Sequence, residues 1–275
     1  MSILINNKKI EAFVFPGGEC QVKINPFDIS ATTDIVASVY NSNDIMYLLL
    51  AVDAVRRVNP QTSITLTIPY FPYARQDRVC NDGEALSVKV ISGLINSLNC
   101  NKVIIFDPHS DVTTALLNNV AVTSLADIIT ESGIAEIIHE KRLVLLSPDA
   151  GAEKKVWNVS KKLSALGINS EVLYASKSRD TKTGNITATH IHGDIRGKSF
   201  IIMDDICDGG RTFIELARVL KEQGAPDVYL YITHGIFSRG LEVLKGYFNH
   251  VYCYHTMLDE KLLDSSFLTL IGHKT

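Results

Sequence analysis

The sequence lacks any apolar run long enough to cross a membrane. No stretch approaches the roughly 18 apolar residues that a transmembrane helix needs. The first residues, MSILINNKKIEAF, also lack the basic segment and apolar core of a secretory signal peptide. We therefore expect a cytoplasmic protein that has no membrane partner.

The sequence also lacks an excess of positive charge. Lys and Arg number 27 and Asp and Glu number 30, which gives a formal net charge of −3. Nucleic acids and anionic membrane surfaces are bound by strongly basic patches. The composition therefore argues against both kinds of partner, and any phosphate chemistry is expected to be local.

Cysteine is sparse and no C-x-x-C pair is present. The five cysteines are Cys20, Cys80, Cys100, Cys207 and Cys253. An odd number of widely spaced cysteines argues against a disulfide framework and against a structural zinc site. We expect ordinary thiols, and only Cys207, which lies among acidic residues, is open to another role.

Short runs rich in Val, Ile and Leu alternate with segments of helical period. This pattern is typical of an α/β fold in which mainly parallel sheets are flanked by helices. The clearest predicted strands are 63–68, 102–106, 143–146, 200–203 and 228–232. The clearest predicted helices are 44–58, 154–166 and 212–223, of which the last two are followed by Gly167 and Gly224 as C′ residues.

The length favours two domains over one. A chain of 275 residues is long enough for two cores of ordinary size. The segment 134–142 separates two similar halves, so we predict a boundary near residue 140, with domains at 1–140 and 141–275.

Acidic residues follow three of the predicted strands, in the segments 107–109, 147–151 and 204–208. In open α/β sheets, ligands bind beyond the carboxyl ends of the strands. His109 and Asp149 are candidates to contact a hard cation or the phosphates that it carries. The alternative interpretation is that these residues form turns or helix N-caps.

The segment 201–212, IIMDDICDGGRT, combines an acid pair with a glycine-rich turn. Asp204 and Asp205, which we expect to leave the strand, suit the vicinal hydroxyls of a sugar. Residues 208–212 turn into the helix that begins near Thr212, where backbone N–H groups and the helix dipole favour a phosphate. The pattern resembles the phosphoribosyl-binding signature, and the alternative is an acidic turn with a Gly-Gly bend.

Further segments resemble the ribose-phosphate pyrophosphokinase family over nearly the whole chain. They are VDAVRR at 52–57, IPYFPYARQDR at 68–78, FDPH at 106–109, SPDAG at 147–151, Lys177-Ser178-Arg179, HIHGDIRGK at 190–198 and THGIFS at 233–238. The resemblance implies two tandem domains of phosphoribosyltransferase type with the active site between them. It also implies a Mg²⁺-dependent transfer of the β,γ-diphosphate of ATP to the 1-hydroxyl of ribose 5-phosphate, which gives phosphoribosyl pyrophosphate and AMP.

The resemblance also implies the site residues. The N-terminal domain would be the ATP side, with nucleotide-binding residues Phe15, Gly17, Glu19, Arg75, Gln76, Asp77 and His109. In the family, the segment that contains Phe15 to Glu19 is supplied by a neighbouring subunit. Mg²⁺ would be held by His109 and Asp149.

The C-terminal domain would be the ribose 5-phosphate side. Its implied sugar-phosphate residues are Arg179, Asp204, Asp205, Asp208, Gly209, Gly210, Arg211 and Thr212. The catalytic residues would be Lys177 and Arg179. Without the family, their surroundings, SKSRDTKTGN, read as an ordinary solvated loop.

The chain departs from the family in several places. Gly17 replaces a usual Asp, which leaves the preference for ATP open, and Gly209 and Arg211 stand where Thr and Gly are common. The segment 79–87 is shorter and less basic than usual, which argues against feedback control by phosphate and ADP. Both ends are shorter than usual, so we expect a homo-oligomer that is at least a dimer, with the family's hexamer as an alternative.

Two other functions compete with the implied synthetase. One is a catalytically silent paralogue that regulates a true synthetase, which the intact Lys177, Arg179, His109 and Asp149 argue against. The other is a phosphoribosyltransferase that consumes the product, which has no use for the YARQDR segment or for two tandem domains.

Overall fold

Two sheets, one in each half of the chain, organise the protein. The computed structural model describes residues 2–179 and 186–272. One compact unit ends at Thr123 and the other begins at Ser124. This division differs from the predicted boundary near residue 140, because the helices that lie between the two positions pack with the second unit.

The first unit contains eight described strands. They are β1 (Ser2–Ile5), β2 (Lys8–Lys9), β3 (Glu11–Val14), β4 (Cys20–Lys23), β5 (Thr32–Ser38), β6 (Ser63–Ile68), β7 (Lys102–Phe106) and β8 (Val120–Thr123). The main sheet has the order β2-β1-β5-β6-β7-β8, in which β5 to β8 are parallel and β1 is antiparallel to its neighbours. β3 and β4 form a separate antiparallel hairpin.

Three α-helices and one 3-10 turn complete the first unit. They are the 3-10 turn Pro26–Asp28, α1 (Ser42–Val58), α2 (Ser87–Ser97) and α3 (Asp111–Leu116). α1 begins with a capping box, in which the side chains of Asn41 and Asp44 each accept a backbone N–H of the other residue. Its last turn carries Arg56 and Arg57, where cations suit the helix dipole.

The second unit contains seven strands among its described residues. They are β9 (Val144–Ser147), β10 (Val172–Arg179), β11 (Ile186–His192), β12 (Phe200–Cys207), β13 (Val228–Gly235), β14 (His250–Thr256) and β15 (Leu268–Leu270). The order is β11-β10-β9-β12-β13-β14-β15, and every pair is parallel except β10 with β11.

The helices of the second unit are α4 (Leu125–Glu131), α5 (Ile134–Glu140), α6 (Ala150–Ala165) and α7 (Arg211–Glu222), with a 3-10 turn at Glu260–Leu262. α4 packs on both α5 and α6. The apolar side chains of Leu125, Ile129 and Ile134 are therefore buried in this unit, although 134–142 reads in the sequence as the point of separation.

The predicted α/β fold class is confirmed, as are the predicted strands and helices. β6 and β7 have the predicted bounds, and α6 and α7 are followed by Gly167 and Gly224 with φ of +80° and +93°. β12, however, continues beyond residue 203 to Cys207 because β13 pairs with it up to Gly235. The expectation that Asp204 and Asp205 leave the strand was therefore wrong.

The two sheets also explain why the predicted strands were readable. All eight residues of β13 are buried, because its sheet is covered on both faces. A strand with this burial appears in the sequence as a continuous apolar run. Among the helices formed by the described residues, none combines the length and the apolar composition of a membrane span.

Candidate functional site

The carboxyl ends of four strands meet at one edge of the second sheet. β10, β9, β12 and β13 are parallel neighbours in that order. The loops that follow β9, β12 and β13 therefore lie side by side, and the segments 147–151 and 204–212 are both at this edge. This edge is the candidate sugar-phosphate site.

The acid pair, Asp204 and Asp205, lies in the second half of β12. Asp205 is buried and Asp204 is partly buried, and the backbone N–H of Asp205 donates to Oδ1 of Asp204 at 2.9 Å. Burial, and after it the charge of Asp205, raises the pKa of Asp204 well above its usual value. Lys155 Nζ on α6 lies 3.9 Å from Oδ2 of Asp205. The pair therefore offers carboxyl oxygens, one of them beside a cation, to a ligand that donates hydrogen bonds.

Gly210 joins the strand to α7. Its φ is +76°, and a Cβ added there would lie 2.9 Å from Cδ2 of Leu244, so the position requires glycine for its backbone and for space. Gly210 is the N-cap residue of α7 and supplies no side-chain cap, and the first turn carries no acid. Gly210 therefore offers no side-chain acceptor to the first backbone N–H groups of this helix, and a helix N-terminus of this kind favours an anion such as a phosphate.

The remaining residues of this loop are partly buried or exposed. Asp208 and Thr212 are partly buried, while Arg211 is exposed at the first position of α7. The carbonyl of Cys207 accepts the N–H groups of Ile236 (2.9 Å) and Phe237 (3.1 Å). The segment after β13 is thereby fixed beside the loop after β12.

Gly209, in contrast to Gly210, has no left-handed φ. A Cβ added at Gly209 would lie 3.3 Å from Cδ and 3.7 Å from Cγ of Arg239. Arg239, at the end of the segment fixed to Cys207, is a residue of this loop's surroundings that the sequence did not reveal. The sequence feature related to Arg239 is the glycine at 209, which stands where the family commonly has Thr and so leaves space for the Arg239 side chain.

Asp149 is the N-cap residue of α6. Its Oδ1 accepts the N–H groups of Gly151 (3.0 Å) and Ala152 (3.3 Å), and the Ser147 hydroxyl donates to its carbonyl at 2.7 Å. The charge of Asp149 also contributes to the raised pKa of Asp204. The Asp149 side chain therefore caps α6 and also lies close enough to the acid pair for its charge to act on Asp204.

Lys177 and Arg179 lie on β10, so the interpretation as a solvated loop was wrong for their backbones. They pair with Thr189 and Ile186 of β11. Their side chains, and residues 180–185, lie outside the described part of the chain. The Thr189 hydroxyl donates to Oε1 of Glu215 on α7 at 2.8 Å, which connects this hairpin to the helix that begins at the glycine loop.

In the first unit, two predicted segments follow the neighbouring parallel strands β6 and β7. After β6, the Gln76 N–H donates to the carbonyl of Tyr73 (3.0 Å), and the Gln76 carbonyl accepts the N–H of Val88 (3.3 Å). Arg75 and Gln76 are exposed and Asp77 is partly buried. These residues follow the carboxyl end of β6, the end of a parallel strand at which ligand binding is expected in open α/β sheets.

After β7, His109 is exposed and follows the buried Asp107, whose φ is +36°. β6 and β7 are adjacent, so the structure brings His109 and the 75–77 segment to the same edge of the first sheet. His109 belongs to the first unit and Asp149 to the second.

The hairpin β3–β4 carries the other predicted nucleotide residues. The N–H of Phe15 donates to the carbonyl of Glu19 at 2.9 Å, and Gly17 between them has open space around it and no left-handed φ. A side chain would fit at Gly17, so the backbone does not explain the loss of the family's usual Asp. The tip exposes Phe13, Val14 and Phe15 by 41%, 53% and 46%.

Two further expectations concern cysteine and metals. Burial, and after it the charges of Asp204 and Asp208, raises the pKa of Cys207 to about 12, so this thiol stays protonated at neutral pH and is no nucleophile. Within residues 2–179 and 186–272, no cluster of three His, Cys, Asp or Glu side chains could hold a metal ion by itself.

Comparisons with known proteins match both halves of the chain. Residues 2–98 match the N-terminal domain of ribose phosphate pyrophosphokinase, and residues 172–244 match the phosphoribosyl synthetase-associated domain. A crystal structure of phosphoribosylpyrophosphate synthetase from Mycobacterium smegmatis has a TM-score of 0.78 at 22% identity. It covers 96% of this chain and 85% of that one, and it supports the fold.

Ribose-phosphate pyrophosphokinases from three bacteria are similar in sequence. The Hyphomonas neptunium protein is 32% identical over 74% of this chain, and the match spans only 64% of that relative's length. The Aquifex aeolicus protein is 33% identical over 82% of this chain and 70% of its own length. The Maricaulis maris protein is 31% identical over 82% and 71%. The chain therefore belongs to the ribose-phosphate pyrophosphokinase family.

Proposed function

We propose that the protein is a ribose-phosphate diphosphokinase that converts ATP and ribose 5-phosphate into AMP and phosphoribosyl pyrophosphate. The observation that carries this proposal is the edge at the end of β12, where an acid pair precedes a helix N-terminus that has no side-chain cap. Such an edge suits a ligand with adjacent hydroxyls and a phosphate. Membership of the family supplies the reaction.

The reaction is a transfer of a diphosphate group. The O1 hydroxyl of the sugar attacks the β-phosphorus of ATP, and the bond from this phosphorus to the α,β-bridging oxygen breaks. AMP leaves with the bridging oxygen, and the hydroxyl proton is released. This chemistry requires alignment of the reacting atoms and neutralisation of charge more than covalent help from the protein.

The sugar phosphate would be held by the end of β12 and the start of α7. Asp204 and Asp205 accept hydrogen bonds from the vicinal hydroxyls of ribose. Backbone N–H groups of 209–212 and the Thr212 hydroxyl donate to the 5-phosphate, with Asp208 in the same loop. The positive end of the α7 dipole favours the dianion at this point.

The adenine nucleotide would be bound by Arg75, Gln76, Asp77 and His109, together with the hairpin tip that carries Phe15, Gly17 and Glu19. The exposed position of Arg75 and Gln76 beside the β7 loop supports this role. The guanidinium of Arg75 suits the phosphate or the ring of a nucleotide.

The residues present fit Mg²⁺ on their chemistry. Mg²⁺ prefers oxygen ligands and is usually held by one or two carboxylates together with substrate phosphates and water. A carboxylate whose charge acts on the acid pair, as that of Asp149 does, matches this demand. Asp149 and His109 would hold it. When bound, Mg²⁺ neutralises the triphosphate and makes its phosphorus more electrophilic.

Lys177 and Arg179 would stabilise the charge of the transferring diphosphate, as the family pattern implies. A compact ammonium and a planar guanidinium are complementary ligands for phosphoryl oxygens.

We also propose that the enzyme is a cytoplasmic homo-oligomer, at least a dimer. The apolar tip of the β3–β4 hairpin supports association, because Phe13, Val14 and Phe15 are adjacent and exposed. Phe13 and Phe15 form an edge-to-face pair with ring centroids 5.2 Å apart, so they present a fixed apolar surface.

The decisive experiment incubates the purified protein with ATP, Mg²⁺ and ribose 5-phosphate. The nucleotide product should be AMP, formed in equal amounts with phosphoribosyl pyrophosphate. Formation of ADP without the diphosphate ester would reject the proposal. Release of diphosphate from phosphoribosyl pyrophosphate in the presence of a free base would identify a phosphoribosyltransferase instead.

A further inference from the structure

Gly209 and Gly210 follow each other in the glycine loop, but the backbone requires only one of them to be glycine. Gly210 has a φ of +76°, whereas Gly209 has no left-handed φ and any residue could adopt its backbone. The absence of a side chain at Gly209 therefore needs another physical reason.

Arg239 gives that reason. A Cβ at Gly209 would lie 3.3 Å from Cδ of Arg239, which is closer than most contacts of a Cβ atom, and 3.7 Å from Cγ, which is an ordinary contact. The aliphatic part of Arg239 thus passes over the position where a side chain of residue 209 would be. Its backbone is held there because the carbonyl of Cys207 binds the N–H groups of Ile236 and Phe237.

Among the described residues, the guanidinium of Arg239 has no counter-ion. Across the described parts of the chain, neither the Arg239 side chain nor the Arg211 side chain takes part in a hydrogen bond or an ion pair, and both residues are exposed. The loop 208–212 contains one acid, Asp208, and one arginine, Arg211. Together with Arg239, which packs on this loop, these three side chains carry one net positive charge. An arginine that is packed by its stem but has no anionic partner is suited to bind an anion from solution.

We propose that Arg239 is a binding residue for the 5-phosphate of the sugar substrate and acts together with Arg211. The inference rests on the proposed function, since it assigns the phosphate of that substrate to the glycine loop. Gly209 is then the residue that admits the Arg239 side chain. A guanidinium can bind two phosphate oxygens at once, which adds orientation to the contacts of the backbone N–H groups.

The first test measures the affinity for ribose 5-phosphate by calorimetry in the absence of ATP. Arg239→Gln should raise Kd about tenfold, as expected for the loss of a charge-assisted hydrogen bond. Arg218→Gln, the same change on the exposed surface of α7, is the matched control and should leave Kd within about twofold. An unchanged Kd for Arg239→Gln, or no binding by the wild-type protein, would overturn the proposal.

The second test uses the steric link between the two positions. Gly209→Thr should weaken binding in the wild-type background because it displaces Arg239. The same change should cost at least threefold less in an Arg239→Gly background, where the space is empty. Equal losses of affinity in both backgrounds would contradict the role given to Gly209. If the Gly209→Thr variant fails to fold, the calorimetric test of Arg239→Gln still decides the proposal.

The calorimetric readout separates this inference from the proposed reaction. Binding that depends on Arg239 without any formation of AMP would reject the reaction and support the binding role. If AMP is formed and the Arg239→Gln variant has the wild-type Kd and KM for ribose 5-phosphate, the role of Arg239 is rejected and the proposed reaction stands.

Discussion

Asp149 combines two roles that a pair of substitutions can separate. Asn caps helices about as well as Asp, so Asp149→Asn should keep the free energy of unfolding within about 0.5 kcal/mol while it removes the negative charge. Asp149→Ala should lose about 1 kcal/mol. Urea denaturation and the AMP assay together check this. Near-normal turnover of Asp149→Asn would show that the residue is only a cap.

Lys177 is expected to act on the transition state. Lys177→Ala should lower kcat by roughly 100-fold to 1000-fold, since one positive charge on the transferring diphosphate is lost. The circular dichroism spectrum should stay unchanged because β10 is held by backbone pairing. A kcat close to that of the wild-type protein would exclude Lys177 from the mechanism.

At the scale of single residues, the sequence pointed to candidate site residues but not to the contacts between them. The acids at 204 and 205 were readable because they directly follow the buried apolar run 200–203. Arg239 was not readable, because its relation to Gly209 depends on a hydrogen bond between two loops that are distant in sequence. Pattern reasoning has no access to such a contact.

At the scale of elements, the buried strands were predictable and the paired polar strands were not. β6 and β7 lie inside a sheet with α-helices against it, so their apolar residues mark them. β10 and β11 lie at the sheet edge and carry polar residues such as those of SKSR. Their strand conformation comes from mutual pairing, a tertiary effect that outweighs local propensity.

The hydrogen bond between Thr189 and Glu215 is expected to stabilise this polar hairpin. Glu215→Ala should increase the hydrogen exchange of β11 amides several-fold, because the hairpin loses its link to α7. Glu222→Ala, which removes an exposed ion pair from the same helix, is the control and should leave these amides unchanged. Equal exchange in both variants would show that the link is dispensable.

At the scale of the molecule, the compact units divide at Thr123 and Ser124, whereas the sequence places the division near residue 140. The segment 125–140 has few strand signals and reads as a connection. Its apolar residues instead form the buried faces of α4 and α5, which pack in the second unit. Sequence patterning shows that a helix has an apolar face, but it does not show which sheet or helix that face will contact.

The stability of the protein should fall as the solution becomes acidic. Burial, with a smaller contribution from the charge of His234, lowers the pKa of His255 to about 3. Below the unfolded value of about 6.5, the unfolded chain binds a proton that the folded chain does not, so stability is lost by up to about 1.4 kcal/mol per pH unit. Urea denaturation at pH 7 and pH 5 should show a smaller difference for His255→Asn than for wild type. An identical difference would refute the assignment to His255.

The strand order of the second sheet has a consequence for synthesis on the ribosome. β9 is made first but lies inside the sheet, between β10 and β12. β10 is translated next and can pair with one edge of β9. The other edge of β9 pairs with β12, which is translated only after the whole β10–β11 hairpin. During that interval an apolar strand presents unpaired N–H and C=O groups, which is the condition under which nascent chains aggregate. The acid pair thus reaches its position only when the last unpaired edge of β9 is closed, so translational pausing before residue 200 should be harmful to the yield of native protein.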